Sequence, residues 1–432
     1  MDIKQVCIKA SEASIKMAEL DGTAKNNALS AIADLLLKNK DKLIAANISD
    51  LKRSEEEKLA APLLKRLKFD EKKINDVVEG IRSLIKLEEP VGKTMLSTML
   101  DDGLELYKVT CPIGVIGIIF ESRPDALVQI STLCLKSGNS VLLKGGREAK
   151  ETNRALTDII EEASAAAGIP KGWITLLENR DDVNEMLKMD DYIDLVIPRG
   201  SNEFVRYIMD NSRIPVMGHA DGICHVYVDK DADLEMAARI TVDSKTQYVA
   251  VCNAAETLLV HKAVAPEFLP VLKSELDKKN VEIYGDEETR KIIPVKAATE
   301  TDWATEYLDY TLSVKIVEDT DEAIEHINTY GSGHTDSIVT SNKQTALKFM
   351  NMVDSGNVFW NASTRFSDGF KYGFGAEVGI STSKLHARGP VGLEGLLSYK
   401  YMLIGNGQIV DDYANNRKTF KHVKLNKQIQ DL

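Results

Sequence analysis

The residue of this chain best suited to covalent chemistry is Cys252, in Thr246-Gln247-Tyr248-Val249-Ala250-Val251-Cys252-Asn253-Ala254-Ala255-Glu256-Thr257. A polar turn there separates a helical pattern from an apolar strand pattern, so the thiol can face a cleft. A thiolate is a strong nucleophile, and one poised cysteine can carry acyl transfer through a thioester. Taken alone, a cysteine beside valine and alanine is more often a small buried hydrophobe. Its company weighs toward chemistry. Ser122 and Arg123 stand in Phe120-Glu121-Ser122-Arg123-Pro124, where an apolar run ends in a turn. Lys144 and Arg147, in Leu143-Lys144-Gly145-Gly146-Arg147, close another apolar run and enter a helical pattern. In an open α/β sheet that strand end is where nucleotides bind. Gly200 and Ser201, in Pro198-Arg199-Gly200-Ser201, also follow a strand and precede a helix, whose free N–H groups suit a pyrophosphate. No GxGxxG follows a strand, which disfavours the usual dinucleotide fingerprint. The seven histidines lack HxxH and HxxxH spacing, so no metal site is expected.

The elements that must position these groups are legible as patterns. With 432 residues, 44% of them hydrophobic, the chain is expected to form about two or three domains. A net charge of -12 without a basic run argues against nucleic-acid or anionic-membrane partners. Five scattered cysteines read as reduced thiols. No run of eighteen apolar residues occurs and Met1–Gln5 opens no signal pattern, so a cytoplasmic protein is expected. Residues 2–90 read as mostly helical, with Leu29, Ile32 and Leu36 on one face. Asp101-Asp102-Gly103 before the alternating Leu104–Val109 predicts a hairpin that protrudes as a ribbon. From Gly114, apolar strands over 115–120, 141–143, 174–177 and 193–197 alternate with helices, and a second such set begins near Ile223. Both sets imply βαβ units and parallel sheets, with a cleft between them as the place for chemistry.

Taken in order, four long motifs resemble the aldehyde dehydrogenase superfamily over nearly the whole chain: Phe120–Pro124, Pro198–Ser201, Val251–Thr257, and Gly373–Ile380 with Thr382–Pro390. Within that superfamily the match is close to the reductases of L-glutamate 5-phosphate. The resemblance implies an aldehyde-dehydrogenase-like α/β fold of two α/β domains with parallel sheets plus a small oligomerisation β-ribbon. By it, residues 1–95 and 112–222 form a cofactor-binding domain and 223–385 a catalytic domain with Cys252. Residues 96–111 and 386–432 then supply the ribbon and C-terminal segment of a homo-oligomer, a dimer or tetramer.

The implied reaction is NADPH-dependent reduction of L-glutamate 5-phosphate to L-glutamate 5-semialdehyde and phosphate in proline biosynthesis, with glutamate 5-kinase as a possible supplier and partner. Cys252 would form the thioester, and its backbone N–H with the Ser122-Arg123 turn would hold the oxyanion. Lys144 matches the lysine beside the adenine ribose. Arg147 stands where an NAD-preferring relative carries glutamate, which would admit a 2′-phosphate. Gly200 and Ser201 would serve the pyrophosphate and Glu306 the nicotinamide ribose. Arg123, Arg199 and Arg388 are the guanidiniums available to the substrate's carboxylate and phosphate. Hydrolytic relatives place an asparagine at Ser122 and a glutamate base in the stretch matching Val216-Met217-Gly218-His219-Ala220, which here holds no carboxylate. The acyl group is therefore expected to pass to hydride or phosphate rather than water. A CoA-dependent or hydrolytic semialdehyde dehydrogenase is the alternative.

Overall fold

The structure is a computed structural model that describes residues 2–121, 123–219 and 221–431. Helices Ile3–Met17, Gly22–Lys38, Lys40–Glu56 and Glu71–Ile85 make up most of the N-terminal region. Three of them are started by aspartates whose side chains accept from free N–H groups: Asp2 from Gln5, Asp21 from Ala24 and Asp70 from Lys73. Leu29, Ile32 and Leu36 lie on the buried stripe of the second helix, as their spacing predicts.

That stripe packs toward a four-stranded sheet in the order Ile174–Leu176, Ser140–Lys144, Val115–Ile119, Leu195–Pro198, every neighbour parallel. Helices Pro124–Lys136 and Lys150–Ala166 alternate with its strands. Val115–Ile119 is buried at every position, as a strand covered on both faces must be. The expected strand over 193–197 begins later, at Leu195, because Ile193 still belongs to the turn, donating its N–H to the Met189 carbonyl.

A second sheet has seven strands, also wholly parallel: Lys296–Ala297, Glu282–Gly285, Thr311–Val317, Ala255–His261, Cys224–Val228, Thr335–Val339 and Asn357–Trp360. Ala255–His261, the strand that follows the Cys252 turn, lies near its centre and is buried throughout.

The predicted hairpin forms from Thr94–Asp101 and Leu104–Pro112, with Gly103 at φ +69 in the turn, a conformation that favours glycine. Its sheet is wider than the hairpin. Leu397–Ile404 adds antiparallel along Leu104–Pro112, and Val423–Lys424 pairs with the other strand. The architecture is thus the expected one: two parallel α/β sheets and a separate antiparallel ribbon.

Candidate active site

Cys252 lies in the loop between helix Leu234–Thr246 and strand Ala255–His261. The loop is fixed by contacts to its backbone. The Cys224 thiol donates to the Cys252 carbonyl at 3.2 Å, Thr364 Oγ1 donates to the Asn253 carbonyl at 2.7 Å, and Asn253 Nδ2 donates to the Ser367 carbonyl at 2.8 Å. Gly222 passes so close that a Cβ there would fall 2.2 Å from the Cys252 carbonyl oxygen and 2.4 Å from its Cα. Only glycine fits without moving the Cys252 backbone.

The surroundings of the sulfur come from several segments. Burial, with the carboxylates of Glu306 and Glu377, pushes the Cys252 thiol up to about 12, while Arg199 works the other way. His219 holds its Nδ1 2.9 Å from the Ile380 carbonyl. A carbonyl only accepts, so the proton sits on Nδ1 and the neutral ring keeps its lone pair on Nε2. Burial lowers the pKa of this ring and, more strongly, that of the enclosed His334. One donor atom each from His219, Cys252 and His334 lies within 4.8 Å of the others.

The expected site residues fall into two groups. Arg199, half-buried after strand Leu195–Pro198, has no ion-pair partner among the described residues. Burial and the Arg123 charge lower its pKa; Glu377 and Cys252 oppose them. Arg123 and Arg388 are turned to carboxylates instead: Arg123 to Asp125 at 2.9 Å, and Arg388 to the side chain and carbonyl of Asp354 at 2.9 and 2.8 Å. Ser122 lies outside the described residues, as does Ala220.

Of the expected cofactor residues, Ser201 caps helix Asn202–Asn211, its hydroxyl accepting from the Phe204 N–H at 3.4 Å, with exposed Gly200 just before it. Asn202 Nδ2 donates to Glu306 and to Asp221, 2.7 Å each, so Glu306 meets the start of that helix from the other sheet's side. Lys144 ends its strand with its ammonium on the Gly145 carbonyl, and burial lowers its pKa. Arg147 is exposed and paired with Glu57 at 2.7 Å.

Sequence reading assigned no role to His219, His334, Glu377 or Arg365. Arg365, in the short helical turn Thr364–Phe366, is half-buried with Nε 3.0 Å from Gln247 Oε1 and no ion-pair partner among the described residues. Burial lowers its pKa, and Cys252 is the first of the neighbours that oppose this. Glu377 accepts from the Gly369 N–H at 2.8 Å, and burial raises its pKa. The negative charges of Glu306 and Glu377 therefore act on the Cys252 thiol although the 216–220 stretch has no carboxylate.

A sequence model of the aldehyde dehydrogenase family matches residues 1–311 and 310–400. The chain belongs to the aldehyde dehydrogenase family. This aldehyde dehydrogenase family chain is 78% identical over 432 residues to gamma-glutamyl phosphate reductase of Ruminiclostridium cellulolyticum, covering 100% of both. It is 73% identical over 428 residues to the reductase of the same name from Acetivibrio thermocellus, covering 99% of each. The crystal structure of gamma-glutamyl phosphate reductase from Thermotoga maritima superposes with a TM-score of 0.93 at 42% identity, over 95% of this chain and 100% of that one.

Proposed function

We propose that the chain is a gamma-glutamyl phosphate reductase, reducing L-glutamate 5-phosphate with NADPH to L-glutamate 5-semialdehyde and phosphate in proline biosynthesis. The observation that carries this reading is the 78% identity over the whole chain to a gamma-glutamyl phosphate reductase, and it is supported by Arg199 and Arg365, two half-buried guanidiniums without ion-pair partners among the described residues. A substrate with a carboxylate and an acyl phosphate brings two anionic groups to match them.

The nucleotide fits the residues present. A helix N-terminus with its serine cap supplies unpaired N–H groups for a pyrophosphate, and Gly200 adds no side chain before it. Lys144 stands at the carboxyl end of its strand, and the exposed Arg147–Glu57 pair is weak enough to yield to a 2′-phosphate. When bound, the nicotinamide supplies the hydride that reduces the thioester carbonyl. The chain does the rest. The His219 Nε2 lone pair accepts the Cys252 proton as sulfur attacks the acyl carbon. The C–O bond to phosphate breaks, Arg199 and Arg365 hold the departing charge, and the Cys252 N–H, with Ser122 and Arg123 as the sequence leads one to expect, steadies the oxyanion. After hydride addition the thiohemiacetal collapses, releasing semialdehyde and thiolate.

NADP reduction by glutamate 5-semialdehyde, with and without phosphate, tests this reading in the wild type and in Cys252→Ala. Phosphate-dependent turnover lost in the variant is expected. Turnover indifferent to phosphate would instead assign the chain to CoA-linked or hydrolytic chemistry. The cofactor preference has its own check: Arg147→Glu should lower the NADPH/NADH ratio of catalytic efficiency, and an unchanged ratio removes Arg147 from the cofactor site.

Residues 1–95 with 112–222 are read as the cofactor-binding unit and 223–385 as the catalytic unit, in a cytoplasmic homo-oligomer. Its five cysteines are all unpaired, as in a reducing compartment. A kinase must supply the labile acyl phosphate, which makes glutamate 5-kinase the natural partner. Hydroxylamine that trapped all of the transferred intermediate would exclude direct hand-over.

A further inference from the structure

We propose that Cys252, His219 and His334 form an inhibitory site for a thiophilic divalent cation, Zn2+, which silences the enzyme by occupying its nucleophile. The three residues arrive from separate parts of the chain: His219 after the first sheet, Cys252 before the central strand of the second, and His334 before strand Thr335–Val339. Their donor atoms lie within 4.8 Å of one another. One thiolate and two imidazoles form a donor set that suits zinc, with bonds of about 2.3 Å to sulfur and about 2.0–2.1 Å to nitrogen. A tetrahedral centre with such bonds spaces its donors about 3.3–3.6 Å apart, so side-chain shifts of about 1–1.5 Å within the set close it.

His334 gives an independent reason to place a ligand here. Its ring is 1% exposed and its Nδ1 is engaged 2.8 Å from Thr335 Oγ1, yet its Nε2 has no hydrogen-bond partner. A buried polar nitrogen left this way is costly unless something binds it. His219 is held as metal-ligating histidines usually are, with one ring nitrogen on a backbone carbonyl and the other without a hydrogen bond among the described residues. The two rings meet edge to face, centroids 5.0 Å apart. Arg199 and Arg365 oppose a dication at this point, and Glu306 and Glu377 offset them.

Binding forms one S–Zn and two N–Zn bonds and releases the Cys252 thiol proton to solvent, with no change of oxidation state. Three protein donors leave a fourth position for water or an anion. Only the inhibitory consequence rests on Cys252 being the nucleophile of the proposed reductase; the binding does not.

The test titrates the intact protein with Co2+ and follows thiolate-to-cobalt charge-transfer absorption, then competes with Zn2+. One equivalent per chain is expected, with the band reversed by chelator and absent in Cys252→Ala. His334→Gln and His219→Gln should each weaken binding by about 10- to 100-fold, with folding checked by circular dichroism. Should buried His334 not tolerate replacement, half-buried His219 still reports. Zn2+ should also block carbamidomethylation of Cys252 by iodoacetamide, read by mass spectrometry without any turnover. Cobalt binding that lacks the charge-transfer band, or that survives in Cys252→Ala, overturns the proposal. So does alkylation of Cys252 at an unchanged rate in excess zinc, even if zinc slows turnover.

Discussion

Around Cys252 the charges that matter are set by which side chains already have partners. Arg123 and Arg388 face Asp125 and Asp354, whereas Arg199 and Arg365 carry positive charge toward the sulfur without neutralisation by an ion pair among the described residues. Losing a charged hydrogen bond to substrate costs about 1.5–3 kcal/mol, so Arg365→Met should raise KM for L-glutamate 5-phosphate about 10- to 150-fold. Steady-state kinetics with the acyl phosphate generated in situ would measure it; an unchanged KM would return the anion to Arg123 or Arg388. Cys252 is legible in sequence because its turn sits between two strong local periodicities. His219, His334 and Arg365 are not, because each lies in its own unremarkable segment and gains meaning only when the sheets bring those segments to one point. No spacing rule spans the interval from 219 to 334.

Helix Leu234–Thr246 and strand Ala255–His261, which flank the Cys252 loop, are joined by a fully enclosed ion pair, Lys245 Nζ to Glu256 Oε2 at 2.5 Å. Glu256 Oε1 also accepts from the Leu308 N–H at 3.3 Å, two residues past Glu306. Breaking such a pair from one side leaves a buried charge uncompensated, at a cost of about 3–5 kcal/mol. Lys245→Met is therefore expected to lower the urea midpoint strongly, with Lys245→Met/Glu256→Gln recovering most of the loss. Burial raises the Glu256 carboxyl from 4.5 to about 7 even with Lys245 opposing. A carboxyl so raised is protonated in the folded protein where the unfolded chain has already ionised, so stability falls as pH climbs from near 4.5 through about 7. The Lys245→Met deficit should accordingly be smaller at pH 5 than at pH 8, and equal deficits would rule out a buried charge as its cause. The elements themselves are readable from the chain: apolar runs give the strands and Asp102-Gly103 gives the hairpin turn. The partnership of Leu397–Ile404 with Leu104–Pro112 is not, since pairing across so long a separation leaves no local pattern.

On the scale of the molecule, the antiparallel sheet ends in an edge strand, Leu397–Ile404, whose Tyr399, Tyr401 and Leu403 are 49%, 60% and 55% exposed. A long apolar edge invites pairing with another chain unless it is covered, which fits the proposed homo-oligomer. Replacing Tyr401 and Leu403 with aspartate should yield a smaller species in light scattering after size exclusion, and an unchanged mass would locate the interface elsewhere. The two parallel sheets were foreseeable from alternating strand and helix patterns; how they meet was not, because the link runs through Asn202, which donates to Glu306 across the cleft. That division of labour makes reactivity a clock. After dilution from urea, far-ultraviolet circular dichroism reports each sheet as it forms, but Cys252 has Arg199 and His219 beside it only once the two sheets have docked. The delay between recovered ellipticity and recovered turnover should therefore time the docking of the two sheets, in a protein that needs no attached probe.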